Sequence, residues 1–190
     1  MDYSDTRRIV IDLLKDEWLN QKNSLPELKL KTDEIEFFYQ ESCNMILNFL
    51  HDFLKDGGFE KPAPIIEKTL FSRKHMLLGR IDAIHNNKDP PLVVDFKTCK
   101  SKEMLDDYKR QLAIYALLYK EHFNKNPTVG IHFLKFKDGL KKFKISDQAL
   151  SNTKDLIKRI HQKTRSTDIR DYPCKCGWCK KNFAIDGEVK

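Results

Sequence analysis

The spacing of apolar residues along the chain switches repeatedly between a helical and a strand period. Near the start, Ile9 and Leu13, with Val10 and Leu14, share one side of a helix predicted from a Ser4 cap to about Gln21. After the connection "NSLPELKLK", Ile35, Phe38, Tyr39, Ile46, Phe49 and Phe53 mark the apolar face of a longer helix. It is predicted to begin near Asp33, with Glu36 as its capping-box partner, and to stop at Gly57-Gly58. From Pro64 the pattern alternates as strands do, in runs at 65–71, 76–84 and 91–97. "SRKH" and "HNNKDPP" separate these runs with turn residues, so two successive hairpins are expected. Helical spacing returns over 101–123. Two further strands, "TVGIHFLKF" and "LKKFKI", flank Asp138-Gly139, and a helix capped by Ser146 runs to about Thr164.

The order α-α-β-β-β-α-β-β-α predicts an α/β fold with a mixed central sheet flanked by helices. No repeat or low-complexity linker interrupts it, so residues 1–190 read as one domain. Within it, 1–58 supply N-terminal helices, 64–145 the core sheet and helix, and 146–190 a last helix and a Cys-rich tail.

Composition adds a setting. With 40% hydrophobic and 33% charged residues, the chain reads as a globular protein with a heavily charged surface. Its longest apolar run, 112–119, is too short for a membrane span. The first residues lack the basic-then-apolar order of a secretory signal, so a cytoplasmic location without membrane contact is expected. The net charge of +7 suits a polyanionic partner, although a lysine-rich surface gives the same value. "LKFKDGLKKFK" predicts a row of cations on one face of a hairpin, and "KRIHQKTRSTDIR" adds a second basic stretch. The five cysteines are a poor disulfide set, being odd in number with three in one short segment. They suggest a reducing compartment and a cluster of Cys174, Cys176 and Cys179, with Cys43 as a fourth ligand. Zinc, an iron–sulfur cluster and a degenerate remnant all fit that set. Cys99 reads as a small buried residue.

The chemistry centres on "LVVDFK". Strand alternation puts Asp95 and Lys97 on one face and Val94 and Phe96 on the other, so the polar pair need not enter the core. Alone, Asp-x-Lys is an ordinary surface salt bridge. The preceding strand, however, carries "GRID", and a hairpin between the two would bring Asp82 beside Asp95. Two adjacent carboxylates near a basic surface call for a hard divalent cation, Mg²⁺ or Mn²⁺. Phosphodiester hydrolysis uses such an ion to polarise the phosphoryl oxygen and activate water. Lys97 would then orient that water or stabilise the developing charge. Glu67 is a candidate third carboxylate, or else an exposed edge-strand glutamate. Gln111 and Tyr115, at i and i+4, face the same way and would hold a nucleic-acid strand or brace Lys97. Arg80 is a further candidate nucleic-acid contact.

In order, "GRID", "VVDFKT" and "QLAIY" resemble the G-x-x-D, (D/E)-x-K and Q-x-x-x-Y motifs of the PD-(D/E)XK nuclease superfamily. Within it, they are similar to the RecB-like exonuclease branch, which includes CRISPR-adaptation, mitochondrial genome maintenance and phage exonucleases. The resemblance, over roughly 65–119, implies a restriction-endonuclease-like fold. It implies Asp82 and Asp95 as metal ligands, Lys97 as the catalytic lysine, Gln111 and Tyr115 as substrate support, and Glu67 as a looser match. The expected activity is that of a Mg²⁺- or Mn²⁺-dependent deoxyribonuclease. An exonuclease acting on single strands or duplex ends, in recombination, repair or phage and CRISPR DNA processing, is the leading form. A structure-selective endonuclease and a non-catalytic nucleic-acid-binding module with the same fold are the alternatives. The branch's upstream G-x-x-x-H motif has no counterpart, since His51 lacks the glycine. Either Glu67 or Glu41 takes that place, or the usual N-terminal part is lacking. Iron–sulfur members carry C-x-x-C followed by a further cysteine, whereas Cys174 here precedes the Cys176 and Cys179 pair.

Overall fold

Five strands form one mixed sheet in the order of the sequence: β1 (Ile65–Ser72), β2 (Leu77–His85), β3 (Leu92–Lys97), β4 (Thr128–Phe133) and β5 (Leu140–Lys144). These elements come from a computed structural model, which describes residues 3–21, 25–58 and 62–166. Neighbouring strands are antiparallel except β3 and β4, which run parallel with Val93 opposite Val129. A parallel pair cannot be closed by a tight turn, and α3 (Asp106–Phe123) makes the crossover.

The sheet is covered on both faces. On one, Ile81, Val93, Val129, Ile131 and Phe133 pack under α3, through Leu112, Ala116, Leu118 and Tyr119. Helix α4 (Asp147–Lys163) adds Leu150 and Ile157 to the same core. Each buried Val, Leu, Ile or Phe among them contributes about 1.5–3 kcal/mol by leaving water. The other face carries a smaller cluster of Ala83, Leu92 and Val94, with Phe96 and Leu140 against it. Helix α2 (Thr32–Lys55) lies there, its Phe49 ring edge-on to Phe96 at 5.7 Å. An apolar cavity of about 320 Å³ remains between them, lined by Phe49, Phe53, Leu92, Val94 and Phe96. Helix α1 (Tyr3–Asn20) packs on α2, with Trp18 edge-on to Tyr39 at 5.3 Å.

Several boundaries differ from the sequence reading. Ser4 lies inside α1 rather than capping it. Helix α2 starts at Thr32, because the Lys31 N–H donates to Glu34, and not Glu36, at 2.9 Å. Helix α3 begins at Asp106, where Asp106 and Asp107 suit the positive end of the helix dipole; Leu105 caps it with an extended backbone and residues 101–105 are not helical. Strand β4 stops at Phe133 because the Phe133 and Phe136 N–H groups bond to Gly139 and Phe133 carbonyls in a turn. The Ser146 cap is present, its hydroxyl accepting from the Ala149 N–H at 3.1 Å.

The expected row of hairpin cations forms only in part: Lys142 and Lys144 are exposed at alternate positions of β5, but Lys135 and Lys137 lie beyond the end of β4. Lys135 pairs with Glu41 at 2.6 Å and Lys142 with Asp56 at 3.0 Å, while Lys141 donates to the Lys102 carbonyl. Glu41 of α2 and Asp56, the residue just past its end, draw two of these lysines to one side, and the third turns toward the Phe133 ring.

Candidate active site

The site forms where β2 and β3 part. Their ladder pairs His85 with Leu92, Ile84 with Val93 and Ala83 with Val94, and ends there. One step further the register faces Asp82 with Asp95. The backbone bond is replaced by the Asp82 carboxylate, whose Oδ2 accepts from the Phe96 N–H at 2.8 Å. The β1–β2 ladder skips the same place, pairing Ile66 with Ala83 and Lys68 with Ile81 but not Glu67 with Asp82. Glu67 has a φ of 51°, in the left-handed region that a glutamate rarely enters. Ile81 and Ile84, three residues apart, both reach the α3 core, so the in–out alternation slips between them. This local irregularity frees Asp82 from the ladder and turns it toward β3.

Asp95 does share a face with Lys97, but that face is the α3 core, together with Val93. The expectation that the pair would avoid the core is therefore corrected for Asp95, which is 3% exposed. The strand period settled which residues share a face; α3 settled which face is covered. The Lys97 ammonium lies 2.7 Å from Asp95 Oδ2. The approach is off the hydrogen-bonding direction, so this buried oxygen has a charge partner but no aligned donor. Burial raises the Asp95 carboxyl above its ordinary value, Lys97 offsets part of that rise, and the Asp82 charge adds to it.

A polar chain continues into α3. Lys97 Nζ donates to Gln111 Oε1 at 2.8 Å, and Gln111 Nε2 donates to the Tyr115 hydroxyl at 2.9 Å. Tyr115 is 8% exposed, so it anchors the amide from within the core and offers little surface to a ligand. Burial raises its phenol above the ordinary value, with Asp95 and Asp82 contributing. Gly79 of "GRID" makes this possible: a Cβ there would sit 2.6 Å from Leu118 Cδ1 and 3.6 Å from Tyr115 Cε1. The missing side chain lets α3 settle directly over β2. Tyr108, which the sequence did not single out, places its ring 5.1 Å from the Lys97 ammonium.

The other candidates lie elsewhere. Glu67 accepts from Arg80 Nε at 2.8 Å in an exposed pair. Glu41 and His51 are engaged by Lys135 and Asp52. Cys43 is a half-buried free thiol on α2, and Cys174, Cys176 and Cys179 lie outside the described residues.

Among the described residues, the one trio of metal-capable side chains whose donor atoms lie within 4.8 Å of one another is His51, Asp52 and Asp138. Asp52 is already saturated. Its Oδ1 meets His51 Nδ1 and the Asp138 N–H, and its Oδ2 meets His132 Nε2 and the Gly139 N–H, all within 3.1 Å. Asp138 is paired with Lys55 at 2.5 Å. This cluster binds the end of α2 to the β4–β5 turn. Asp82 and Asp95 fit a hard cation better: both offer oxygen, and one buried oxygen lacks an aligned donor.

A PD-(D/E)XK nuclease superfamily model matches residues 5–182, and the chain belongs to that superfamily. The superfamily comprises phosphodiester hydrolases that use divalent metals. The fold is similar to that of a crystal structure of a "Putative exonuclease" from Eubacterium rectale, with a TM-score of 0.56 and 12% identity, covering 95% of this chain and 74% of that one. No curated protein matches the sequence.

Proposed function

We propose that this chain is a metal-dependent deoxyribonuclease in which Asp82 and Asp95 hold Mg²⁺ or Mn²⁺ and Lys97 is the catalytic lysine. The observation that carries this reading is the buried Asp95, joined through Lys97 and Gln111 to Tyr115, with Asp82 on the parted strand beside it. When bound, a divalent ion supplies Lewis-acid polarisation of the phosphoryl oxygen and acidifies water. The protein's part is positional. Lys97 donates one of its three N–H groups to Gln111 and sits beside the Asp95 charge without an aligned bond to it, so N–H groups remain for the attacking water or a phosphate oxygen. Gln111, itself held by Tyr115, restricts the ammonium to one place, so little entropy remains to be lost at the transition state. Burial around Asp95 lowers the local dielectric and strengthens the action of Lys97 on developing negative charge.

Action at DNA ends is the form we favour. It draws on the resemblance of the three motifs to the RecB-like branch and on the exonuclease name of the similar structure. The net charge of +7 suits a polyanionic substrate.

The test is end-labelled single-stranded and duplex DNA, beside closed circular DNA, incubated with Mn²⁺ or Mg²⁺. Linear substrates are expected to shorten and closed circles to survive, with EDTA and Asp95→Ala each abolishing cleavage and Lys97→Ala strongly reducing it. Intact linear DNA with clean wild-type protein would overturn the hydrolytic reading. Cleaved circles would replace the exonuclease with an endonuclease.

A further inference from the structure

Two groups already described hold Lys97. Gln111 Oε1 accepts from its ammonium at 2.8 Å, and the Asp95 carboxylate lies 2.7 Å away without an aligned bond. A third group stands beside it, and the hydrolytic reading gives that group no part. The Tyr108 ring centroid is 5.1 Å from the ammonium, inside the range over which a cation is drawn to the negative face of an aromatic ring. Tyr108, Gln111 and Tyr115 are spaced i, i+3 and i+7 on α3, so one side of that helix carries the ring, the amide and the amide's anchor.

The ring is itself fixed from two directions. It packs against Phe133, with centroids 6.4 Å apart, and Phe133 is the fully buried β4 residue directly opposite Lys97. Its hydroxyl meets the Cys99 thiol, which donates to the Ser101 carbonyl at 3.1 Å. That thiol, and then burial, raise the phenol above its ordinary value, so the ring carries no charge of its own. The segment leaving β3 is thereby joined to the first turn of α3, with the ring between them. Without the ring, an ammonium on a flexible four-carbon stem is free to turn fully onto Asp95 and away from a substrate.

We propose that Tyr108 is a positioning residue whose ring holds the Lys97 ammonium between Gln111 and Asp95, with its free N–H groups toward the reacting phosphate. This rests on the deoxyribonuclease reading and deepens it with a residue that lies outside the three motifs.

Cleavage of end-labelled DNA in Mn²⁺ is measured for wild type, Tyr108→Leu, Tyr108→Met and Tyr108→Phe. The two ringless variants are expected to lose about tenfold in kcat with KM unchanged, because the lysine acts on charge that develops in the transition state. Tyr108→Phe, which keeps the ring, should recover most of that rate. A second readout needs neither metal nor cleavage. In EDTA, NMR of protein with carbon-13-labelled lysine is expected to show the Lys97 ε-protons, assigned from Lys97→Arg, shifted upfield by the ring. That shift should persist in Tyr108→Phe and vanish in the ringless variants. Wild-type kcat in a ringless variant, a Tyr108→Phe as slow as Tyr108→Leu, or an unshifted Lys97 signal in wild type each overturns the proposal. Absent cleavage by wild type would end the hydrolytic reading and this role with it. Wild-type cleavage that Tyr108→Leu matches would end the role alone.

Discussion

Asp95 sits on the covered face of its strand, and burial pushes its carboxyl above the ordinary value despite Lys97 at 2.7 Å. Between the unfolded and native values the folded protein keeps a proton that the unfolded chain has released. Stability contributed by this group therefore falls as pH rises through that window and stays lower above it. Asp95→Asn removes the penalty. In EDTA the variant is expected to be more stable than wild type at neutral pH, the gap closing in acid below the ordinary carboxylate range. Urea unfolding across pH measures this, and a variant less stable at neutral pH would mean that pairing with Lys97 outweighs burial. Lys97→Ala removes the counter-charge and should cut cleavage by about 10²–10³-fold, the usual cost of losing one preorganised stabilising group.

At the scale of elements, two contacts hold the layers in register. Asp52, in the last turns of α2, accepts from His51, His132 and the Asp138 and Gly139 N–H groups. Burial alone would raise its carboxyl, but these four hydrogen bonds prevail and hold it below the ordinary value. Its stabilisation is present above the unfolded value and is lost as pH falls through the lowered native one. Asp52→Ala should cost on the order of 3 kcal/mol at neutral pH, since buried backbone donors lose their acceptor. Urea titrations at neutral and acid pH should show that cost shrinking in acid. Gly79 governs the other layer. Gly79→Ala forces Leu118 and Tyr115 away from β2 and should cost about 1–3 kcal/mol as overpacking. Cleavage should fall with it, because Tyr115 positions Gln111; an Ala variant with wild-type kcat would sever that link.

For the molecule as a whole, two acid clusters lie on opposite sides of the sheet, and metal binding should tell them apart. An ion at one hundred times its Kd stabilises the native state by about 2.7 kcal/mol. For a chain of this length that corresponds to roughly 5–10 °C in Tm. Mn²⁺ is expected to raise the Tm of wild type and of His51→Ala alike, and to leave Asp82→Ala, Asp95→Ala unchanged. A shift that disappears in His51→Ala would instead assign the ion to the trio of His51, Asp52 and Asp138. Among the described residues, no helix is long and apolar enough to cross a membrane.

The sequence alone determined the element order, the two hairpins, the helix that follows them and the three motifs that resemble the superfamily's. Period-2 and period-3.6 patterns are local, and "GRID", "VVDFKT" and "QLAIY" each lie within one element. What it left open depended on contacts between distant segments. Only the packing of α3 buried Asp95, joined Lys97 to Gln111 and showed why residue 79 has no side chain. Only the slip in β2 turned Asp82 toward Phe96, while Glu67 stayed with Arg80. Asp52 and His132 are 80 residues apart, and no local period marks either as half of a buried pair. Alternation tells which side chains share a face, but the burial that gives a carboxylate its charge state comes from whatever packs on that face.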